Sequence, residues 1–246
     1  MKTWLWILII TYMWIEGYRV LLFTTEMSEE QMEDRLEAMA IGMLYGDFDY
    51  AKFKSGKLSQ EDEEKYYKFL ERKEKMEQLI IETATDVSNV SAKMEQYDVD
   101  IVFIDSAYLM DDEEGSDIDW LRVTHIWRGL KKLAKRTGKP ICVNSQQDIN
   151  KDGGLGSVNF AKAINHESDV VMELIRDEQM LEDKEAKVGV LKQREGTLGS
   201  VMLNWDFRCM NFKPIFSTDA TGQTLEVSED VEDDDLPNKN MIRMED

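Results

Sequence analysis

Three short apolar runs constrain this chain most: VLLF at 20–23, IVFI at 101–104 and ICV at 141–143, each ending on a polar residue and separated by stretches of helical periodicity. A strand that is apolar at every position presents oily side chains on both faces, so it needs helices above and below it. The long helical connections between the runs suit crossovers between parallel strands, which a two-residue hairpin cannot make. The expected architecture is therefore an α/β domain with a mainly parallel sheet covered on both faces. Beyond residue 169 the character changes. Residues 170–175, 187–191 and 199–205 read as strands, and joints such as Glu195-Gly196-Thr197 imply antiparallel hairpins that extend the sheet.

The connecting segments carry their own signals. Trp4 to Trp14 is apolar, but Thr11 interrupts it and Glu16 ends it, short of the about 20 residues a spanning helix needs. A buried helix is preferred over a membrane anchor, and no small-residue cleavage site follows to make it a signal peptide. Ser28 and Gln31 stand at capping-box spacing ahead of a stripe of Met32, Leu36, Met39 and Met43, which reads as core. Residues 45–58 look irregular, Ser59 opens a charged helix to about Glu77, and a capped helical turn starts from Ser88. Trp120, Val123, Trp127, Leu130 and Ala134 mark the apolar face of a later helix that stops at Gly138, just before Pro140.

A chain of 246 residues with 42% hydrophobic content holds one sizeable core. We expect that domain over 1–216, followed by an acidic, disordered tail over 217–246, where residues 226–235 are almost wholly acidic. The formal net charge of -20 argues against binding nucleic acid through overall charge, so any such contact needs a local basic surface. The only two cysteines, Cys142 and Cys209, form no metal or disulfide pattern, and a reducing cytoplasm suits them. His125 and His166 have no cysteine or carboxylate partners at metal spacing and read as structural.

In open α/β sheets functional side chains collect at the carboxyl ends of strands. Three places qualify: Glu26 after YRVLLFTT, Asp105 after IVFI, and Gln146 after ICVNS. Asp105 suits a magnesium-organising carboxylate, since a hard cation wants oxygen ligands, or it caps a following helix. Glu26 either polarises a water or favours a helix start through the dipole. Gln146 either bonds a phosphate or satisfies a loop. Taken separately, each of these patterns is weak.

Their combination carries more. The segments YRVLLFTTEMS, DIVFIDSAYLM, the helix through GKPICVNSQQ, SDVVMELIRDE and LKQREGTLGSVMLNWD resemble, in order and spacing, the C-terminal RecA-like motor domain of phage-like DnaB-type replicative helicases, over Lys2 to about Phe212. The resemblance implies a homo-hexameric ATPase that unwinds duplex DNA in the cytoplasm of a bacterial host, with ATP and Mg2+ as cofactors and single-stranded DNA, and possible primase or loader proteins, as partners. It implies that Glu26 orients the attacking water, Asp105 holds Mg2+ and Gln146 senses the γ-phosphate. Lys192 and Arg194 would reach the ATP of a neighbouring subunit; without the family they are scattered charge on an exposed hairpin.

The phosphate loop departs from the family pattern GxxxxGK[ST]. Lys2 and Thr3 match its last two residues, Thr3 as a magnesium ligand, while Met1 stands in the place of the final glycine. The expectation is a chain truncated within that motif, with an impaired RecA-like scaffold or partner-binding subunit as the alternative reading. Residues 148–163, with Lys151, Asn159 and Lys162 among glycines, correspond to the family's DNA-tracking loop, or form an ordinary surface loop. The basic helix face of Arg122, Arg128, Lys131, Lys132, Lys135 and Arg136 reads as solvated.

Overall fold

A computed structural model describes residues 2–145, 161–210 and 212–225. Its first part alternates helix and strand: α1 (Lys2–Ile15), β1 (Val20–Thr24), α2 (Glu29–Tyr45), α3 (Tyr50–Lys54), α4 (Gln60–Lys73), β2 (Leu79–Glu82), α5 (Val87–Gln96), β3 (Ile101–Asp105), α6 (Asp119–Thr137) and β4 (Ile141–Val143). Its second part is mostly strand: α7 (Ala161–Glu167), β5 (Val170–Ile175), α8 (Glu178–Asp183), β6 (Glu185–Gln193), β7 (Gly199–Asn204), β8 (Pro214–Asp219) and β9 (Thr224–Leu225).

The four early strands form one parallel sheet in the order β2-β1-β3-β4. The period-two geometry of a strand divides its residues between two cores. Val20, Leu22, Ile101 and Phe103 face α1 and α2, where they meet Ile7, Ile10, Leu36 and Met39. Leu21, Phe23, Val102 and Ile104 face the other way, onto Val90 and Met94 of α5 and Val123, Ile126 and Leu130 of α6. All of these strand residues except Ile101 are fully buried, and each large apolar side chain removed from water contributes about 1.5–3 kcal/mol. At the amino ends of the strands, Arg19 Nη2 pairs with Asp100 at 2.7 Å and a second nitrogen reaches Asp98, which ties β1 to the entry of β3.

Local capping explains several helix starts. Ser28 accepts from the Gln31 amide at 3.2 Å, and Ser59 accepts from that of Asp62, as Ser/Thr caps do for otherwise unsatisfied N–H groups. Gly138 ends α6 in the left-handed region at φ 68°. No helix among the described residues is long and apolar enough to cross a membrane.

Several expectations need correction. Among the described residues the late strands do not extend the parallel sheet; they form a separate antiparallel sheet in the order β5-β6-β7-β8-β9, and β4 and β5 share no ladder. Strand β8 runs across residue 217 and pairs with β9, so strand structure continues past the place where the tail was expected to start. Met43 is 38% exposed and Trp120 is 58% exposed, because both lie at the open ends of their stripes. Helix α4 ends at Lys73 rather than Glu77, Asp86 rather than Ser88 caps α5, and Asp49 caps a short α3 inside the stretch read as irregular. His125 does have carboxylate neighbours, Asp112 at 2.9 Å and Glu114 at 3.3 Å, which fasten the 111–118 loop to α6. They lie far enough ahead in sequence that residue spacing hid them.

Candidate functional site

The carboxyl ends of β1, β3 and β4 lie side by side, since Thr24 pairs with Asp105 and Ile104 with Val143 in register. Parallel strands whose carboxyl ends are in register deliver the polar residues that follow them to one edge. Here that edge holds Glu26, Asp105 and Asn144, and the first turn of α1 brings Lys2 to it.

Asp105 is 2% exposed and accepts a hydrogen bond from the Asn144 side-chain amide. Burying a carboxylate costs several kcal/mol unless it is bonded, so this partner is part of what makes the position tolerable. Its backbone carbonyl accepts from the Thr25 amide at 2.8 Å and from the Thr25 hydroxyl at 3.1 Å. The Ser106 amide in turn donates to Thr25 Oγ1 at 2.8 Å, across a cis Asp105–Ser106 peptide. The two strand tips are thus stitched together by backbone groups on both sides.

Glu26 stands just beyond β1, solvent-exposed, with one carboxylate oxygen held twice. The Ser106 hydroxyl donates to Oε1 at 2.7 Å and the Tyr108 hydroxyl donates to the same atom at 2.8 Å. Partial burial opposes its ionisation, but these two donors and the nearby Lys2 charge outweigh it and hold the carboxyl below the ordinary glutamate value. Tyr108 responds in the opposite sense: burial and the Glu26 carboxylate push its phenol up.

Lys2 Nζ donates to the Ser145 carbonyl at 3.0 Å. Burial lowers its affinity for a proton, against the attraction of Glu26 and Asp105. Helix α1 is held from behind by an aromatic cluster. Trp4 packs on Phe207 at 4.8 Å and on Tyr50 at 5.2 Å between ring centroids, and the Arg35 guanidinium sits 5.0 Å above its ring. Thr3 lies in the same first turn of α1.

A carboxylate poised to accept a proton, a buried carboxylate with oxygen chemistry for a hard cation, and a lysine at a helix start form a set that suits phosphoryl transfer. No group of three or more His, Cys, Asp or Glu side chains among the described residues could hold a metal ion by itself. The single buried carboxylate of Asp105 is of the kind that suits Mg2+, which binds through one or two carboxylates together with substrate phosphates.

Lys192 and Arg194 lie elsewhere. Lys192 Nζ donates to the Ser168 carbonyl at 2.8 Å and also to that of Asn165; Arg194 donates to the His166 carbonyl at 3.1 Å and pairs with Asp169 at 3.3 Å. Both cations cover the last carbonyls of α7, a place that favours positive charge. Within one chain their bonds run to α7 and Asp169 and not to the strand tips. Gln146, Lys151 and Asn159 lie outside the described residues, as does the side chain of Lys162. The basic face of α6 is partly neutralised: Arg128 meets Glu167 at 3.2 Å, Lys131 meets Asp169, and Arg122 meets Asp119 at 3.5 Å.

Ser106, Tyr108 and Asn144 were given no role from sequence. The signal for Ser106 was present, as a polar residue directly after an apolar strand, whereas Tyr108 reaches Glu26 only because a 3-10 turn at Ala107–Leu109 folds it back.

Comparison with known proteins adds an independent line. The family model of the DnaB-like helicase C terminal domain matches residues 1–214. The replicative DNA helicases DnaB of Rickettsia typhi and Rickettsia felis are each 24% identical over 222 residues, covering 77% of this chain and 44% of theirs. The chain therefore spans less than half the length of the curated relatives it matches. Among solved structures, an ATPase domain superposes with a TM-score of 0.76 at 21% identity, covering 86% of this chain and 79% of that one. A DnaB-like replicative helicase, solved for its interactions with primase, gives 0.73 at 21% identity, covering 82% and 53%.

Proposed function

Because the chain belongs to the DnaB-like helicase C-terminal domain family, we propose that it is the ATP-hydrolysing motor of a replicative DNA helicase, acting on single-stranded DNA as a homo-hexamer in the cytoplasm. The observation that carries this reading is the gathering of Lys2, Glu26 and Asp105 at one edge of the parallel sheet. In this reading Glu26 takes up the proton of the attacking water, and Ser106 and Tyr108 fix its carboxylate while keeping it ionised. Lys2 faces the phosphates, and Asp105 with Thr3 holds Mg2+, which neutralises charge on the transferring phosphoryl group when bound. Gln146 senses the γ-phosphate.

Lys192 and Arg194 serve the site of the adjoining subunit, which requires them to leave the α7 carbonyls they now cover. Lys151, Asn159 and Lys162 contact the DNA backbone, where lysines neutralise phosphates. Primase or a loader protein docks on the assembled ring. The domain includes β8 and β9 and so reaches past 216 to Leu225, with the acidic stretch after it acting as a solubilising tail.

The test is hydrolysis of ATP with single-stranded DNA present, measured on the chain as it stands and with a glycine-rich phosphate loop joined ahead of Lys2. Activity that falls by about 100-fold or more on Glu26→Gln, the usual contribution of a general base, supports the motor. Silence in both forms, or activity indifferent to Glu26, overturns it.

A further inference from the structure

Asn144 sits at the strand tips with only half of its side-chain amide in use. Strands β3 and β4 run in register, so Asp105 and Asn144 stand side by side one step beyond the Ile104–Val143 pair. Ile104 and Val143 face α5 and α6, so the next residue of each strand turns to the opposite face, where α1 brings Lys2. The Asn144 backbone amide donates to the Ile104 carbonyl at 3.3 Å, which fixes the side chain beside the carboxylate. There Asn144 Nδ2 donates to Asp105 Oδ1. Chemistry sets this orientation, since a carboxylate oxygen accepts and the amide nitrogen is the donor end.

Asn144 is 7% exposed, and its Oδ1 is sealed from water without a hydrogen-bond partner. An unpaired buried acceptor costs about 1–3 kcal/mol, which a leucine in the same place would avoid. The rest of β4 is Ile141, Cys142 and Val143, so packing alone gives no reason for an amide at its end. A polar group that breaks a local rule is expected where it serves a site. The two oxygens of Asp105 also differ. Oδ1 is occupied by Asn144, whereas Oδ2 takes no hydrogen bond from the described residues. One carboxylate oxygen is therefore left to meet a cation.

We propose that Asn144 determines which cation the site accepts: by holding Asp105 Oδ1 it presents a single fixed oxygen, which suits Mg2+ and disfavours Ca2+. Mg2+ demands near-octahedral geometry and keeps several of its waters, so one carboxylate oxygen together with substrate phosphates satisfies it. Ca2+ takes about six to eight oxygens in a flexible shell and gains from a bidentate carboxylate, which an occupied Oδ1 denies it. Groups that hydrogen-bond a metal-binding carboxylate ordinarily contribute about 10–100-fold to metal affinity. The inference rests on the reading of Asp105 as the magnesium carboxylate. Asn144 touches Asp105 and not the ion, so it is a positioning residue.

The test follows the side-chain carboxyl-carbon NMR signal of Asp105 in the full chain, identified by its loss in Asp105→Asn. Mn2+ alone, a paramagnetic stand-in for Mg2+, broadens that signal, and Mg2+ or Ca2+ is then added until it recovers. The native chain is expected to need about tenfold less Mg2+ than Ca2+. In Asn144→Leu, similar in volume but without a donor, that preference falls by about tenfold, to near parity. Asn144→Ala, where a mobile water holds the carboxylate less firmly, is the second variant and shows the same fall; circular dichroism reports that each is folded. An unchanged ratio of Mg2+ to Ca2+ in either folded variant overturns the role of Asn144 and leaves Asp105 as the metal carboxylate. A merely structural asparagine gives that outcome, with a lower urea midpoint and the cation ratio where it was. Equal recovery with either cation in the native chain overturns the proposal without any variant. Failure of Mn2+ to broaden Asp105 in the native chain overturns the reading of Asp105, and the inference with it.

Discussion

Glu26 combines exposure with a carboxylate held by two hydroxyl donors, so its proton affinity is set by neighbours rather than by burial alone. The direction of its shift fixes the sign of a pH effect. A carboxyl whose folded value is depressed contributes stability above the unfolded value, and that contribution disappears as pH falls through the folded value. Tyr108→Phe removes one donor, so the Glu26 titration moves up toward the ordinary glutamate range while the fold is retained. Carboxyl-carbon NMR of the single chain reads this directly. An unchanged Glu26 titration in Tyr108→Phe means that the phenol does not hold the carboxylate.

At the scale of elements, α1 has to be fixed for Lys2 to reach the strand tips, and the fixation comes from the opposite end of the sequence. Trp205, 1% exposed, packs at 4.8 Å on Phe212, which stacks in turn on Trp4 at 6.4 Å. Trp205→Ala opens a cavity there and costs about 3–5 kcal/mol, seen as a lower urea midpoint. At Gly42 a Cβ would lie 2.6 Å from Met210 Cβ, so α2 and the segment after β7 approach as closely as they do only because that position is glycine. Helix α4 offers a gentler comparison: Ser59→Ala removes the cap on the Asp62 amide and lowers stability by about 1 kcal/mol, with the denaturant slope unchanged. A loss as large as that of Trp205→Ala would assign Ser59 more than a cap.

For the whole molecule, the separation of Lys192 and Arg194 from Glu26 within one chain makes a mixing experiment decisive. Glu26→Gln and Arg194→Ala proteins, each carrying a phosphate loop ahead of Lys2, are expected to be nearly inactive alone. Mixed in equal amounts, they regain activity at the interfaces where an intact Glu26 faces an intact Arg194, about one in four for random assembly. A mixture as silent as its components means that Arg194 does not act across subunits, and its bonds to His166 and Asp169 then describe its role fully.

The amino-acid sequence by itself determined the strand runs, their burial on two faces and the polar residues at their ends, because period and composition act locally along the chain. It therefore made Glu26 and Asp105 legible as candidates, with Lys2 following from the resemblance. Packing decided the rest. Tyr108 meets Glu26 through a turn, Asn144 meets Asp105 across a ladder, and His125 meets Asp112 from another element; none of these pairings has a spacing that sequence could display. The division into two sheets, with an open edge on each, likewise belongs to tertiary structure, since an apolar strand reads the same whether one neighbour or two pair with it.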